Sequence, residues 1–125
     1  PPPTPEPIMP RKTIAEFKEE RISLNDILLR SKHQQIGRFF NVDTNVYKDG
    51  ALPAKTKEML GLVASMVLRC DDCITYHMIQ CAEQGVTDAE FDEIFAVALV
   101  VGGSITIPHL RRAAAAREEL RTMPS

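Results

Sequence analysis

Helix start signals and helical periodicity recur along this chain. Thr13 and Glu16, and again Thr87 and Glu90, have the spacing of a capping box, in which two side chains satisfy free amides at a helix N-terminus. Apolar residues recur every three to four positions, and no segment alternates apolar and polar residues as a half-buried strand would. The sequence therefore predicts an all-α fold, a single-domain helical bundle of about six helices.

Glycine, proline, asparagine and aspartate separate the predicted helices. Asn41 to Gly50 is rich in Asn, Asp and Gly and is predicted to be a loop. Asp72 is the predicted N-cap of the fourth helix, and Gly85 is placed to end it. Residues 94–101 are apolar on nearly every side and belong either in the centre of the bundle or in a subunit interface. The predicted helices cover approximately residues 14–29, 32–40, 52–69, 73–84, 87–101 and 104–121.

Residues 1–12 are rich in proline and are predicted to form a flexible arm, followed by a single helical redox domain over residues 13–122. The arm lacks the basic-then-apolar order of a signal peptide, and the longest apolar run is far too short to span a membrane. A net charge of −2 and the absence of Trp argue against nucleic-acid binding. We therefore expect a cytoplasmic protein with no nucleic-acid or membrane partner.

Two cysteines three residues apart, Cys70 and Cys73, are followed four residues later by His77. In a cytoplasmic protein, such a pair indicates redox or metal chemistry rather than a structural disulfide. Residues at this spacing near a helix start have Cα atoms about 5–6 Å apart, within the range of a disulfide. His77 falls on the same helical face as Cys73, from which it can accept the thiol proton or stabilise the thiolate.

The residues between the cysteines, Asp71 and Asp72, oppose thiolate formation. A carboxylate about 4 Å from a thiolate repels it by roughly 1 kcal/mol in water. This is as large as the ~0.3–1 kcal/mol by which a helix N-terminus favours a nearby anion. We therefore expect Cys73 to be only moderately acidic.

Two other interpretations of the cysteine pair remain open. Cys70, Cys73 and His77 could bind zinc together with Cys81 or Glu58, although a closed zinc site usually recruits a second ligand cluster and the sequence has none. The pair could also be packed thiols without a function. Cys81 continues the face of Cys73 and His77, but a lone cysteine at helical spacing is most often part of the core.

The cysteine motif belongs to a longer pattern that resembles a known family. The resemblance is to the alkylhydroperoxidase D-like family of the carboxymuconolactone decarboxylase superfamily, and it covers about residues 50–120. It implies an all-helical fold that assembles as homo-oligomers, commonly trimers or hexamers built from dimers. The residues that carry it are Glu58, Cys70-x-x-Cys73, His77, Gly85-Val86-Thr87 and Gly102-Gly103.

The resemblance further implies a thiol-dependent peroxidase in which Glu58, Cys70, Cys73 and His77 form a proton relay. In such a reaction Cys73 attacks a hydroperoxide and becomes a sulfenic acid, and Cys70 resolves it to a disulfide. Glu58 acts through His77 or a water molecule. An external thiol or dithiol reductant is then required, and we expect no cofactor and no metal.

This chain departs from the family pattern at Asp72, where peroxidase members often carry a histidine before the second cysteine. The added negative charge disfavours efficient peroxide reduction more than disulfide exchange. A general thiol–disulfide oxidoreductase is therefore one alternative. A carboxymuconolactone decarboxylase-type lyase is another, although a decarboxylase has no use for a dithiol. A redox sensor or an oligomeric scaffold without enzymatic activity is a third.

Overall fold

The computed structural model describes residues 12–123, and within that range the chain forms α-helices, one short 3-10 turn and no strand. The predicted all-α fold is confirmed. Residues 1–11, nearly all of the predicted flexible arm, lie outside the described residues. The elements are α1 (Ile14–Leu29), α2 (Gln34–Val46), α3 (Ala54–Val67), α4 (Asp71–Glu83), α5 (Asp88–Gly102), the 3-10 turn Ser104–Thr106 and α6 (Ile107–Thr122).

The core lies where α3 packs against α4 and α5, and where α4 packs against α6. Leu62, Met66 and Met78 at its centre are fully buried. Burial of such a side chain contributes about 1.5–3 kcal/mol relative to its exposure. A smaller cluster of Ile14, Ile79 and Ala116 attaches α1 to this core. The main cluster comprises Leu62, Met66, Ile74, Met78, Cys81, Val86, Phe91, Ile94, Ala98 and Ala113.

Both predicted capping boxes are present. Thr13 and Glu16 exchange side chain–backbone hydrogen bonds at the start of α1, and Thr87 and Glu90 do so at the start of α5. An N-cap of this kind contributes about 1 kcal/mol. Gly85 has φ +82° and ends α4 as predicted, because a side chain is disfavoured in this left-handed region.

The predicted loop over residues 41–50 is wrong in its first half, because α2 continues to Val46. Thr44 and Asn45 donate side-chain hydrogen bonds to backbone carbonyls one turn earlier, at 3.0 and 2.9 Å. These polar side chains therefore bond along the helix instead of competing with it. Lys57 of α3 also donates to the Val46 carbonyl at 2.8 Å, a contact that the local sequence does not reveal.

The apolar segment of α5 lies in the core on one face only. Ile94 and Ala98 are buried, whereas Val97, Val100 and Val101 are 52, 85 and 65% exposed. A fully central position, one of the two predicted alternatives, is therefore wrong for this chain taken alone. None of the helices within residues 12–123 is long and apolar enough to cross a membrane.

Candidate active site

Cys70 and Cys73 form a disulfide at the start of α4, with their Cα atoms 5.3 Å apart, as their spacing predicts. Cys70 is also the N-cap of α4, because its Sγ accepts a hydrogen bond from the Cys73 N–H at 3.3 Å. The prediction that Asp72 is this cap is wrong. The extended backbone that an N-cap requires already occurs at Cys70, so Asp71 and Asp72 lie in the first helical turn.

Cys70 takes part in ending α3 as well as in starting α4. The Arg69 and Cys70 amides donate to the carbonyls of Met66 and Ser65, both at 3.1 Å, which is the hydrogen-bond pair of a Schellman motif. Arg69 has φ +60°, where a residue with a side chain costs about 1–2 kcal/mol. Only Leu68, Arg69 and Cys70 separate the two helices, and each of them belongs to a helix cap, so the cysteine motif is fixed relative to α3.

Glu58 of α3 and His77 of α4 meet inside the bundle. Glu58 Oε2 lies 2.8 Å from His77 Nδ1, and the two side chains are only 6 and 9% exposed. A carboxylate only accepts hydrogen bonds, so we assign the donated proton to Nδ1. In the neutral imidazole, Nε2 then carries the lone pair and is the nitrogen able to accept a proton.

Gly61 allows α3 to approach the His77 ring. A Cβ atom at Gly61 would lie 2.7–3.0 Å from three atoms of that ring, closer than real side chains come. Gly in a helix interior costs about 0.5–1 kcal/mol relative to Ala, so the close approach has an energetic cost. Gly61 was not predicted from the sequence, although a glycine inside a regular helical pattern is an available signal.

The other ring nitrogen of His77 faces Tyr47. The Tyr47 hydroxyl lies 3.4 Å from His77 Nε2, a long hydrogen bond, and the ring centroids are 5.3 Å apart. Lys57 fixes Tyr47 by donating to the carbonyls on both sides of it, at 2.8 and 2.7 Å. Burial and the Glu58 charge raise the pKa of Tyr47, so its hydroxyl stays protonated at neutral pH. Tyr47 was not predicted to belong to the site, because it falls within the predicted loop over residues 41–50.

Tyr76 contacts His77 as well. Its ring meets the imidazole edge-on with centroids 5.2 Å apart, and the Arg21 guanidinium lies 4.3 Å from the Tyr76 ring centroid. Burial and the Glu58 charge raise the pKa of Tyr76 too. The imidazole is thus held by a carboxylate and two neutral phenol rings.

Cys73 and His77 line a cavity of about 340 Å³ between α1, α2 and α4. Cys73 is exposed, whereas Cys70 is half-buried and is not among the described residues that line the cavity. Within residues 12–123, His77 bonds to Glu58 and Tyr47 and makes no hydrogen bond to Cys73. A proton passing between Cys73 and His77 therefore requires a water molecule or a small movement. The other lining residues are Lys12, Phe17, Glu20, Arg21, Leu24, Asn25, Asp43, Asp72 and Tyr76.

The two acids between the cysteines have different surroundings. Asp71 binds α6, with Oδ1 2.8 Å from His109 Nδ1 and Oδ2 3.1 Å from Arg112. Burial raises the pKa of Asp71, but hydrogen bonds from His109 and Arg112 outweigh that effect and leave it below its ordinary value. Asp72 lines the cavity with Cys73. The Asp71 charge is balanced by His109 and Arg112, so Asp72 is the acid that we expect to repel a Cys73 thiolate more strongly.

Cys81 is fully buried in the core, as predicted, and burial raises its pKa to about 12. No three His, Cys, Asp or Glu side chains of the described residues are grouped so that they could hold a metal ion. The alternative zinc set, which adds Cys81 or Glu58 to Cys70, Cys73 and His77, is therefore not assembled in this disulfide-bonded structure. The structure does bring Glu58 and His77 into contact beside the disulfide, but their roles remain predictions.

Comparison with known proteins assigns a family and a fold. The model of the carboxymuconolactone decarboxylase family matches residues 37–116. The crystal structure of TM1620 from Thermotoga maritima, a protein of that family for which involvement in antioxidative response has been suggested, is 55% identical. It superposes with a TM-score of 0.81 over 86% of this chain and 91% of that one.

Two more distant relatives are also similar. A carboxymuconolactone decarboxylase family protein of Legionella pneumophila, 24% identical, superposes with a TM-score of 0.72 over 86% of this chain and 94% of that one. At that identity it supports the fold alone. An uncharacterised Cupriavidus necator protein is 32% identical over 56 residues, which are 45% of this chain. The match spans only half the length of that relative.

Proposed function

We propose, from the premise that this chain belongs to the carboxymuconolactone decarboxylase family, that it is a thiol-dependent peroxidase of the alkylhydroperoxidase type. The observation that carries the proposal is a Cys70–Cys73 disulfide whose exposed member shares a cavity with His77. The buried Glu58–His77 pair supplies a proton acceptor beside it. The suggested antioxidative role of the Thermotoga maritima relative agrees with this chemistry.

Cys73 is the proposed nucleophile of the reduced protein, because it is exposed and lines the cavity. Its thiolate attacks one peroxide oxygen, so that an S–O bond forms while the O–O bond breaks. Cys73 is oxidised to a sulfenic acid and the hydroperoxide is reduced to an alcohol. Through a water molecule, His77 Nε2 takes the thiol proton and returns it to the departing alkoxide, while Glu58 stabilises the imidazolium.

Cys70 is the proposed resolving thiol. It attacks the sulfenic sulfur of Cys73, so that the S–S bond forms, the S–O bond breaks and a water molecule leaves with the Cys70 proton. The Cα separation of 5.3 Å requires little movement, and the N-cap hydrogen bond from the Cys73 amide favours the Cys70 thiolate. An external thiol or dithiol then supplies two electrons and two protons and restores both thiols.

A general thiol–disulfide oxidoreductase is the second candidate, and Asp72 is the observation that favours it. Its carboxylate lines the cavity beside Cys73, where it disfavours the thiolate that peroxide reduction needs. The lyase alternative has less support. The lining acids Glu20, Asp43 and Asp72 outnumber the cations Lys12 and Arg21, a poor match for a dicarboxylate substrate.

We also propose that the protein acts as a homo-oligomer, a trimer or a hexamer, in the reducing cytoplasm. The exposed face of α5, together with Ile105 (56% exposed) and Leu68 (78% exposed), supports a subunit interface. Val97, Val100 and Val101 are neighbours on α5 by helical spacing, and an exposed apolar patch of this kind usually marks a contact surface. Light scattering of the purified protein, with Val100→Lys as the disruptive variant, tests this assembly. A monomeric wild type would contradict it.

Stopped-flow mixing of the reduced protein with an organic hydroperoxide, with thiols counted before and after, tests the peroxidase. We expect loss of two thiols per chain. Cys73→Ser should abolish this loss, and Cys70→Ser should accumulate a sulfenic acid that dimedone traps. Cys81→Ala is the matched control and should still lose two thiols. If peroxide consumes no thiols while exchange with a model disulfide persists, the oxidoreductase function replaces the peroxidase.

A further inference from the structure

We propose that His109 and Arg112 are positioning residues for the redox centre, which hold the Asp71 carboxylate on α6 and so keep it from suppressing thiolate formation. The inference rests on the proposed redox function of Cys70 and Cys73. It does not depend on which oxidant the dithiol meets.

Among the residues that the structure describes, the hydrogen-bond partners of the Asp71 carboxylate all lie on α6. Its Oδ1 lies 2.8 Å from His109 Nδ1 and its Oδ2 lies 3.1 Å from Arg112. Arg112 also lies 3.1 Å from the same imidazole nitrogen, which cannot donate to Asp71 and accept from Arg112 at once. Because the carboxylate is the stronger acceptor, we assign Nδ1 as its donor. Each carboxylate oxygen then has one partner on α6.

Asp71 is close enough to both cysteines in the chain for its charge to affect thiolate formation. Asp71 is adjacent to Cys70 and two residues before Cys73, in the turn where the free amides of α4 lie. Released from α6, its carboxylate could rotate toward those amides and compete with the thiolates for the same positive field. It would also repel a thiolate directly.

Within residues 12–123, no other side chain holds the Asp71 carboxylate as His109 and Arg112 do. His109 is mostly buried, with a side-chain exposure of 15%, so its imidazole is held in place by packing. A second cavity, of about 160 Å³, adjoins Asp71 and Arg112 and is also lined by the charged side chains of Lys12 and Asp72. Lys12 forms an ion pair with Glu20 at 2.5 Å and is thus shared with another acid.

The test measures the rate of iodoacetamide alkylation of the reduced protein at pH 7 and the pH at which that rate is half-maximal. We expect Arg112→Gln and His109→Ala each to lower the rate about three- to tenfold, the size of an uncompensated charge at this range. Arg112→Lys should restore most of it, because a single cationic N–H contact to Asp71 suffices. Arg121→Gln, also on α6 but paired with Asp88, is the matched control and should change nothing.

The Asp71→Asn background distinguishes positioning from a direct effect of Arg112 on the thiolate. If Arg112 acts by holding Asp71, Arg112→Gln should have little effect once Asp71 is neutral. An equal loss in both backgrounds, or no loss in either, would overturn the proposal. Thermal unfolding of each variant verifies that it is folded, and His109→Ala replaces Arg112→Gln if the latter is not. Alkylation needs no peroxide, so the alkylation rates would still test the role of His109 and Arg112 if the peroxidase assay failed.

Discussion

Glu58 of α3 and His77 of α4 are nineteen positions apart in the sequence, yet their side chains meet at 2.8 Å in the interior of the bundle. The pair couples α3 to α4 directly beneath the cysteine motif. It is the part of the site most dependent on tertiary packing.

Glu58→Gln should lower the rate of peroxide-dependent thiol loss about 10²–10⁴-fold, the usual contribution of a positioned acid–base group. It should also lower the free energy of unfolding by about 1–3 kcal/mol, because a buried charged hydrogen bond is replaced by a neutral one. Stopped-flow kinetics and urea denaturation measure the two effects. Glu93→Gln, an exposed acid on α5, is the control. A rate within twofold of wild type would remove Glu58 from the relay.

Gly61→Ala should reduce activity and stability together. Alanine ordinarily stabilises a helix by about 0.5–1 kcal/mol relative to glycine, but here its Cβ would displace the His77 ring. Gly37→Ala provides the matched control, since nothing lies within 4 Å of a Cβ at that helical position. We expect Gly37→Ala to raise the unfolding free energy and Gly61→Ala to lower it. Equal gains in both variants would show that His77 has room to move.

Cys81 should be unreactive in the folded protein. With a pKa of about 12, only about one molecule in ten thousand carries the Cys81 thiolate at pH 8. The disulfide form should therefore show no thiol toward Ellman's reagent when folded and one per chain in guanidinium chloride. The dithiol form should show two when folded and three when unfolded. Rapid reaction of a thiol in the folded disulfide form would contradict the burial of Cys81.

Asp71 should contribute to stability against acid. Its pKa is lowered in the folded protein, so its contribution is present above the ordinary value of 3.8 and disappears as the pH falls through the lowered value. Asp71→Asn should therefore reduce the melting temperature at pH 6 and flatten its decline below about pH 4. Calorimetry from pH 3 to 6 measures this, with the exposed Asp26→Asn as the control. A wild-type-like acid profile in Asp71→Asn would contradict it.

The fold could be predicted from sequence because its signals are local. Thr13, Thr87 and Gly85 fix helix ends through contacts within four residues, and such contacts leave a readable spacing. The N-cap at Cys70 was not predicted, because a cysteine is an unusual cap and its role follows from the way α3 ends. Lys57 of the next helix donates to the carbonyl of Val46, the last residue of α2, a contact that no local pattern reveals.

The candidate site likewise contains some residues that local sequence spacing reveals and others that depend on tertiary contacts. Cys70, Cys73 and His77 lie within one short segment, so their spacing was sufficient to single them out. Glu58 was found only through a family resemblance. Tyr47 was not predicted as a site residue, because its contact with His77 arises only from the packing of α2 and α3 around that ring. The contact between Asp71 and α6 likewise joins residues 38 positions apart and has no signature in sequence.

Cys70 closes the hydrogen-bond pattern of α3 and caps α4, so the two helices share a capping residue. A residue inserted before Cys70 could be absorbed only by unwinding a helix end or by turning α4 about 100° around its axis. Either change would carry His77 off Glu58. Natural relatives that keep the redox centre should consequently tolerate no insertion or deletion between Glu58 and His77.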